Sequence, residues 1–421
     1  MLIRTAQPKL IFNSEIKTLE YDTNVLLNNI PLYSIEDKNQ SVCGIEIVFS
    51  GGKVEEVIKG ASYFSTNLLK SGTNNFNSTQ ISAFFELRGA FVQMQNGLDY
   101  NSISLYCLTT KLSEVLPFFM ELFTESVFPQ KQLTKLVKKK EQELKINQQK
   151  SNYWATKLLK EALFGSHPYG HILDEKDISS ITSADLTEHW KNFSLNRIQF
   201  ITSTGNFNLD KVITQLEILS DTITPGMEGY KNKAQINSKY LFKRKKIPNN
   251  EQSSLKIGIP SISLKSKDYP ILSLGNTIWG GYFGSRLMQS IREDKGLTYG
   301  INSSLINLLG SSYVQISADL KKNAGDEVIE LIAQELKSLT NEPIKEQELI
   351  KVKNYLIGEY RSNSETIFDR ISKVKFLKLH NLEDHYYSKH FNTLLNANPA
   401  QIQKVLKETI VPQSFNIALV E

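Results

Sequence analysis

Cysteine is almost absent from this chain of 421 residues, Cys43 and Cys107 being the only two. Two cysteines make no disulfide framework and their spacing fits no metal motif, so both are expected to be buried small hydrophobes in a reducing compartment. Long apolar runs are missing as well. No stretch approaches the roughly 20 apolar residues of a membrane span, and Met1–Pro8 has neither the apolar core nor the small-residue cleavage site of a signal peptide. The expectation is a cytoplasmic protein with no membrane contact. Nor is charge of one sign in excess: 49 Lys and Arg against 44 Asp and Glu leave a formal +5. The basic residues fall into short groups, such as 138–140 and 243–246, without interleaved aromatics. They read as a solvated helix face and a linker, and no nucleic-acid partner is expected. Nucleotide and serine-hydrolase signatures are also missing. Gly280-Gly281-x-x-Gly284 lacks a Walker lysine and the spacing of a dinucleotide fingerprint, and reads as a tight connection between helices; no Gly-x-Ser-x-Gly elbow occurs. His167 and His171 stand four apart, but Pro168 and Gly170 between them predict a turn, not a metal-holding helix.

What is present is an ordinary core, 40% hydrophobic with 22% charged residues, in a length that suggests two to three domains. Strands with turns are predicted over 21–50, and helices over 60–70 and 78–88, the second stopped by Gly89. A hairpin follows over 90–107, then helices over 113–126, 130–149, 154–163 and 183–193, and a strand with a turn over 198–205. Residues 221–246, with Pro225-Gly226 and the basic cluster 243–246, read as an inter-domain linker. The remainder repeats the first half. With Gly89 set on Gly296, Glu86-Leu87-Arg88-Gly89-Ala90-Phe91-Val92 aligns with Glu293-Asp294-Lys295-Gly296-Leu297-Thr298-Tyr299, and each copy reads helix, glycine stop, strand. The strand 313–320 and the helices 326–339 and 344–360 repeat their counterparts. Two similar α+β domains result, 1–220 and 247–421, joined by 221–246.

The repeat centres on 280–300. Leu287 and Ile291 share a helix face, Ser285 is placed to cap its start, and Gly296 follows Lys295 as a helix C′ residue. Leu297, Tyr299 and Ile301 then alternate as in a strand. Arg292 falls in the last helical turn and Tyr299 near the strand's start, so a tight turn can bring guanidinium and phenol together. Taken from spacing alone, the favoured reading is that Arg292 offsets a helix C-terminus and Tyr299 packs on a sheet.

Together these residues resemble the M16 metallopeptidase family over nearly the whole chain. The resemblance implies two α+β roll domains enclosing a chamber, with a zinc site in the first on a helix that carries His-x-x-Glu-His and is followed by Gly-Thr. Here the helix and Gly72-Thr73 are kept, but Tyr63 and Asn67 stand at the two ligand positions and Thr66 at that of the base. Two imidazoles one turn apart hold Zn²⁺ and the carboxylate activates its water; a phenol, an amide and a threonine do neither. Glu141 or Glu143 matches the third ligand, either being a solvated carboxylate without the others. Arg292 and Tyr299 match the pair that M16 members present from the second domain, where the resemblance has them bind the scissile carbonyl and stabilise the oxyanion. At these positions the first copy has Phe85 and Val92, so the polar pair is not a requirement of the repeated scaffold. The resemblance therefore implies a subunit that binds no zinc and is inactive alone. It would act on peptides as a heterodimer, or higher oligomer, with a His-x-x-Glu-His chain carrying Zn²⁺. The rival reading is an M16-fold scaffold or peptide-binding protein without catalysis.

Overall fold

In the computed structural model, residues 16–217, 234–248 and 251–421 are described. Met1–Pro8 and the first part of the expected linker, 221–233, lie outside them. Among the described residues no helix is long and apolar enough to cross a membrane.

Two sheets form, one in each half of the chain. The first is built from β1 (Asp22–Val25), β2 (Pro31–Glu36), β3 (Val42–Phe49), β4 (Phe91–Asn96), β5 (Asn101–Leu108) and β6 (Ile198–Gly205), in the order β1-β2-β6-β3-β5-β4. The second is built from β7 (Leu241–Lys245), β8 (Gln252–Pro260), β9 (Thr298–Asn307), β10 (Ser312–Lys321) and β11 (Asn416–Val420), in the order β7-β11-β8-β10-β9. Removing β1 leaves the same plan twice. β2 runs parallel to β6 as β7 runs parallel to β11, and the remaining neighbours are antiparallel.

That match corrects the reading of 243–246 as linker. Leu241–Lys245 is the second copy of β2, an edge strand whose cations are all engaged. Lys243 Nζ is 3.4 Å from Glu161, Arg244 pairs with Asp326, and Lys245 Nζ lies 2.9 Å from the centre of the Trp154 ring. Lysine at a sheet edge guards against pairing with other chains while its stem covers apolar surface.

Alternation gives each sheet two faces. Ile45 and Ile47 face the first core with Phe64, Phe119 and Phe123, while Leu255, Ile257 and Ile259 face the second with Trp279, Val328 and Ile332. The opposite faces are covered by exchange. Helix Ser151–Phe164, from the first half, lies on the second sheet, where Leu159, Leu163 and Phe164 bury against Tyr313 and Ala418. Gly258 makes that approach possible, since a Cβ there would meet Leu163 Cδ1 at 2.7 Å. Helix Ile367–Leu379, from the second half, lies on the first sheet, where Ile367, Ile371 and Val374 pack on Ile35 and Lys375 Nζ reaches Glu46 at 2.6 Å. Its start is fixed by a capping box of Thr366 and Asp369. Each half thus finishes the other. Cys43 and Cys107 face each other across β3 and β5 as buried free thiols, 3.6 Å apart.

Candidate functional site

Two backbone irregularities build the polar pair of the second half. Met288–Asp294 is wound in π-type turns and ends at Gly296, whose φ of 62° is left-handed. Leu297 N–H reaches back to Ile291 O at 3.0 Å. In the first copy the stop is Gly89, φ 60°, and Ala90 N–H reaches Phe85 O at 2.9 Å. The closing bond spans one residue more in the second copy, so Ile291, fully buried, takes the structural place of Phe85. Arg292 is thereby left outside the core. Its guanidinium stacks 4.8 Å from the centre of the exposed Phe283 ring and lies 3.3 Å from Glu293. The entry of this helix differs from expectation. Ser285 accepts the Gln289 N–H through its carbonyl, but its hydroxyl is buried without a partner and caps nothing. Arg286 instead anchors the start, donating to both oxygens of Glu348 at 2.9 and 2.8 Å.

Strand β9 repeats the device. Its register against β10 shifts between Gly300↔Asp319 and Thr298↔Leu320, leaving Tyr299 as the unpaired residue of a β-bulge. A slip of one residue reverses which side chains face the core. Thr298 is turned inward at 8% exposure, and Tyr299 outward at 86%. The Thr298 hydroxyl pins the bulge, lying 2.6 Å from Asp319 O and accepting the Gly300 N–H at 3.1 Å. In the first copy β4 pairs with β5 without a break, and Val92 stays buried. No hydrogen bond joins Arg292 to Tyr299, and both donors face away from the core. Thr298→Val should lower stability by about 1–2 kcal/mol by leaving these backbone groups unpaired. An unchanged urea midpoint would show that the hydroxyl does not hold the bulge.

In the first half, helix Ala61–Asn67 starts at Gly60, φ 92°. The Glu56 carboxylate accepts the Gly60 N–H at 2.9 Å and the Ser62 N–H at 3.1 Å, doing the work of a cap. The three substituted motif residues do not form one cluster. Asn67 Nδ2 donates to Tyr63 O at 2.8 Å, whereas Thr66 is fully buried with its hydroxyl unpartnered. From helix Gln130–Gln148, Lys140 Nζ lies 4.4 Å from the centre of the Tyr63 ring and 3.2 Å from Glu143. Lys140, assigned above to a solvated run, is therefore half-buried against the motif helix. His167 Nδ1 accepts the Tyr169 N–H in a short turn, and His171 pairs with Asp177 at 2.8 Å. His189 donates from Nε2 to Gly51 O at 3.0 Å, and burial pushes its pKa down to about 4, keeping it neutral.

Residues 32–176 match the family described as Insulinase (Peptidase family M16), and residues 180–356 the one described as Peptidase M16 inactive domain. The chain belongs to peptidase family M16. It is similar to the uncharacterized zinc protease YmxG of Bacillus subtilis, 23% identical over 319 residues, covering 75% of this chain and 77% of that protein. It is also similar to a protein of Helicobacter pylori named "Non-peptidase homolog YmxG", 24% identical over 342 residues, covering 78% and 77%. The crystal structure of a peptidase M16 inactive domain from Pseudomonas fluorescens shares the fold, with a TM-score of 0.87 at 21% identity over 96% of this chain and 98% of that one.

Zinc is the metal an M16 fold implies, and the residues at the motif do not fit it. The Asn67 amide is tied to its own helix, the Thr66 hydroxyl faces the core, and the Lys140 ammonium facing Tyr63 opposes a cation. Among the described residues, no group of three or more His, Cys, Asp or Glu is placed to hold a metal ion.

Glu56 carries a measurable signature of this site. Burial pushes its carboxyl up from 4.5 to about 7, against the lowering effect of the Gly60 and Ser62 N–H groups. Between these values the folded state keeps a proton that the unfolded chain releases, so native stability falls as pH rises through the window. Wild type should therefore lose roughly 3 kcal/mol relative to Glu56→Gln between pH 4.5 and about 8, the difference levelling off above. Taking the difference between the two proteins removes the titration of His189, which they share. Parallel stability curves would refute the shift.

Proposed function

We propose that this chain is the non-zinc-binding subunit of a two-chain M16 peptidase that hydrolyses peptides. The observation that carries this reading is the asymmetry of the repeat. A π-type helix end and a β-bulge occur at Arg292 and Tyr299, and the first copy has a regular backbone with buried Phe85 and Val92 instead. Irregular backbone of this kind re-aims side chains and is frequent at functional sites. The part-exposed guanidinium and the exposed phenol are two hydrogen-bond donors that a group from outside the chain can reach. Donors already held in place around a developing oxyanion contribute several kcal/mol to catalysis. In this reading the partner is an M16 chain with an intact His-x-x-Glu-His motif and its Zn²⁺, while this chain supplies the two donors and part of a peptide chamber. We place the pair in the cytoplasm, where Cys43 and Cys107 remain thiols.

Reconstitution tests the reading. The purified chain should cleave no peptide, and mixing with the zinc-motif partner should restore cleavage that depends on Arg292 and Tyr299. Stoichiometric zinc with peptidase activity in the isolated chain would overturn it. A second reading, a peptide-binding or scaffold subunit without catalysis, is favoured by the name of the Helicobacter pylori relative, "Non-peptidase homolog". It predicts a stable complex indifferent to both residues.

A further inference from the structure

Beside the Tyr63 ring lies a cavity of about 280 Å³, walled by Lys53, Glu56, Tyr63, Asn96, Lys140 and Leu173 among others. We propose that this cavity is a carboxylate site that receives the free C-terminus of a peptide, an inference that rests on the peptide-chamber reading above.

The wall carries two cations, one acid and one amide. Lys53 and Lys140 bring two ammonium groups from different elements, the segment before the motif helix and helix Gln130–Gln148. Lys53 Nζ gives one hydrogen to His171 O, which fixes its position and leaves two N–H groups. Lys140 is steadied by Glu143 and the Tyr63 ring. The acid of the wall, Glu56, cancels them only in part. Both Glu56 oxygens accept backbone N–H groups, and burial raises its pKa to about 7. Burial and the nearby Lys160 push Lys53 down to about 8, against the raising effect of Glu56 and Asp177. A carboxylate would accept charge-assisted hydrogen bonds from the two ammonium groups, about twice as strong as neutral ones.

The rest of the wall fits a peptide end. Leu173 and the Tyr63 ring offer an apolar side to a terminal side chain, and the Asn96 amide is held in place by Ser62 Oγ at 2.7 Å and Asn101 Oδ1 at 2.9 Å. Asn96 is the last residue of β4, the edge strand of the first sheet. An extended chain running along that edge therefore arrives at the cavity.

The test titrates the full chain with three probes: a short peptide with a free C-terminus, the same peptide as its C-terminal amide, and acetate. By calorimetry the acid should bind about tenfold or more tightly than the amide, the effect of a charged hydrogen bond. Lys53→Gln and Lys140→Gln should each shrink that ratio by weakening acid binding more than amide binding, and Lys53→Arg should retain it. Equal binding of acid and amide would overturn the carboxylate site and leave the peptide chamber standing. Lys53-dependent acetate binding with neither peptide bound would overturn the peptide end as the source of the carboxylate, and the reconstitution above tests the chamber separately.

Discussion

Arg292→Ala should lower kcat/KM of the reconstituted two-chain peptidase by about 10²- to 10³-fold, the loss falling on kcat with KM little changed. The sign of that split follows from where the charge appears. A ground-state carbonyl oxygen needs a donor weakly, whereas the oxyanion formed from it needs one strongly, so removing the guanidinium costs mainly transition-state binding. Arg292→Lys should recover only part of the loss, since an ammonium keeps the charge but not the planar fork. Tyr299→Phe should cost less, because it removes one neutral donor and leaves the ring and the bulge in place. Stability separates these effects from damage to the fold. Arg292 is one-third exposed and pairs with the half-exposed Glu293, an interaction worth about 0–1 kcal/mol, so the melting temperature should stay near that of wild type. A complex that cleaves peptides at an unchanged rate with Arg292→Ala would remove the catalytic role and leave the scaffold reading.

The repeat was legible because it rests on strong local signals. Gly89 and Gly296 announce helix ends, both are left-handed as glycine at C′ should be, and the strands after them alternate. The metal misfit was equally plain, since three residues in one helix, Tyr63, Thr66 and Asn67, stand where two imidazole ligands and the base are needed. What spacing could not show was direction. Tyr299 alternates with Leu297 and Ile301 in sequence, and a regular strand would turn it inward as it turns Val92; only the bulge held by Thr298 reverses it. The run 243–246 read as linker because four cations in a row suit solvent, and its pairing with β11 is set by residues far along the chain. Lys140 was hidden in the same way, as one of three adjacent lysines of which the fold turns this one onto an aromatic ring. The exchange of helices between halves has no local signature, because an amphipathic helix carries no record of which sheet it will cover.

That exchange leads to the second large effect. Leu163→Ala, in a helix of the first half, should destabilise the whole chain by about 2–5 kcal/mol. Leu163 is 1% exposed and sits over Gly258 of the second sheet, whose missing side chain shapes the seat for it. Truncating it leaves a void that a sheet strand, held on both sides by β10 and β11, closes poorly. Because helix Ile367–Leu379 covers the first sheet in return, neither half is complete without the other, and a loss in one is passed to both. Urea unfolding should therefore show one cooperative transition, moved to lower denaturant by the substitution and reported equally by probes in the first and second sheets. Two resolved transitions, with only the second sheet affected, would mean that the halves are stable apart and that the exchanged helices merely rest on their neighbours.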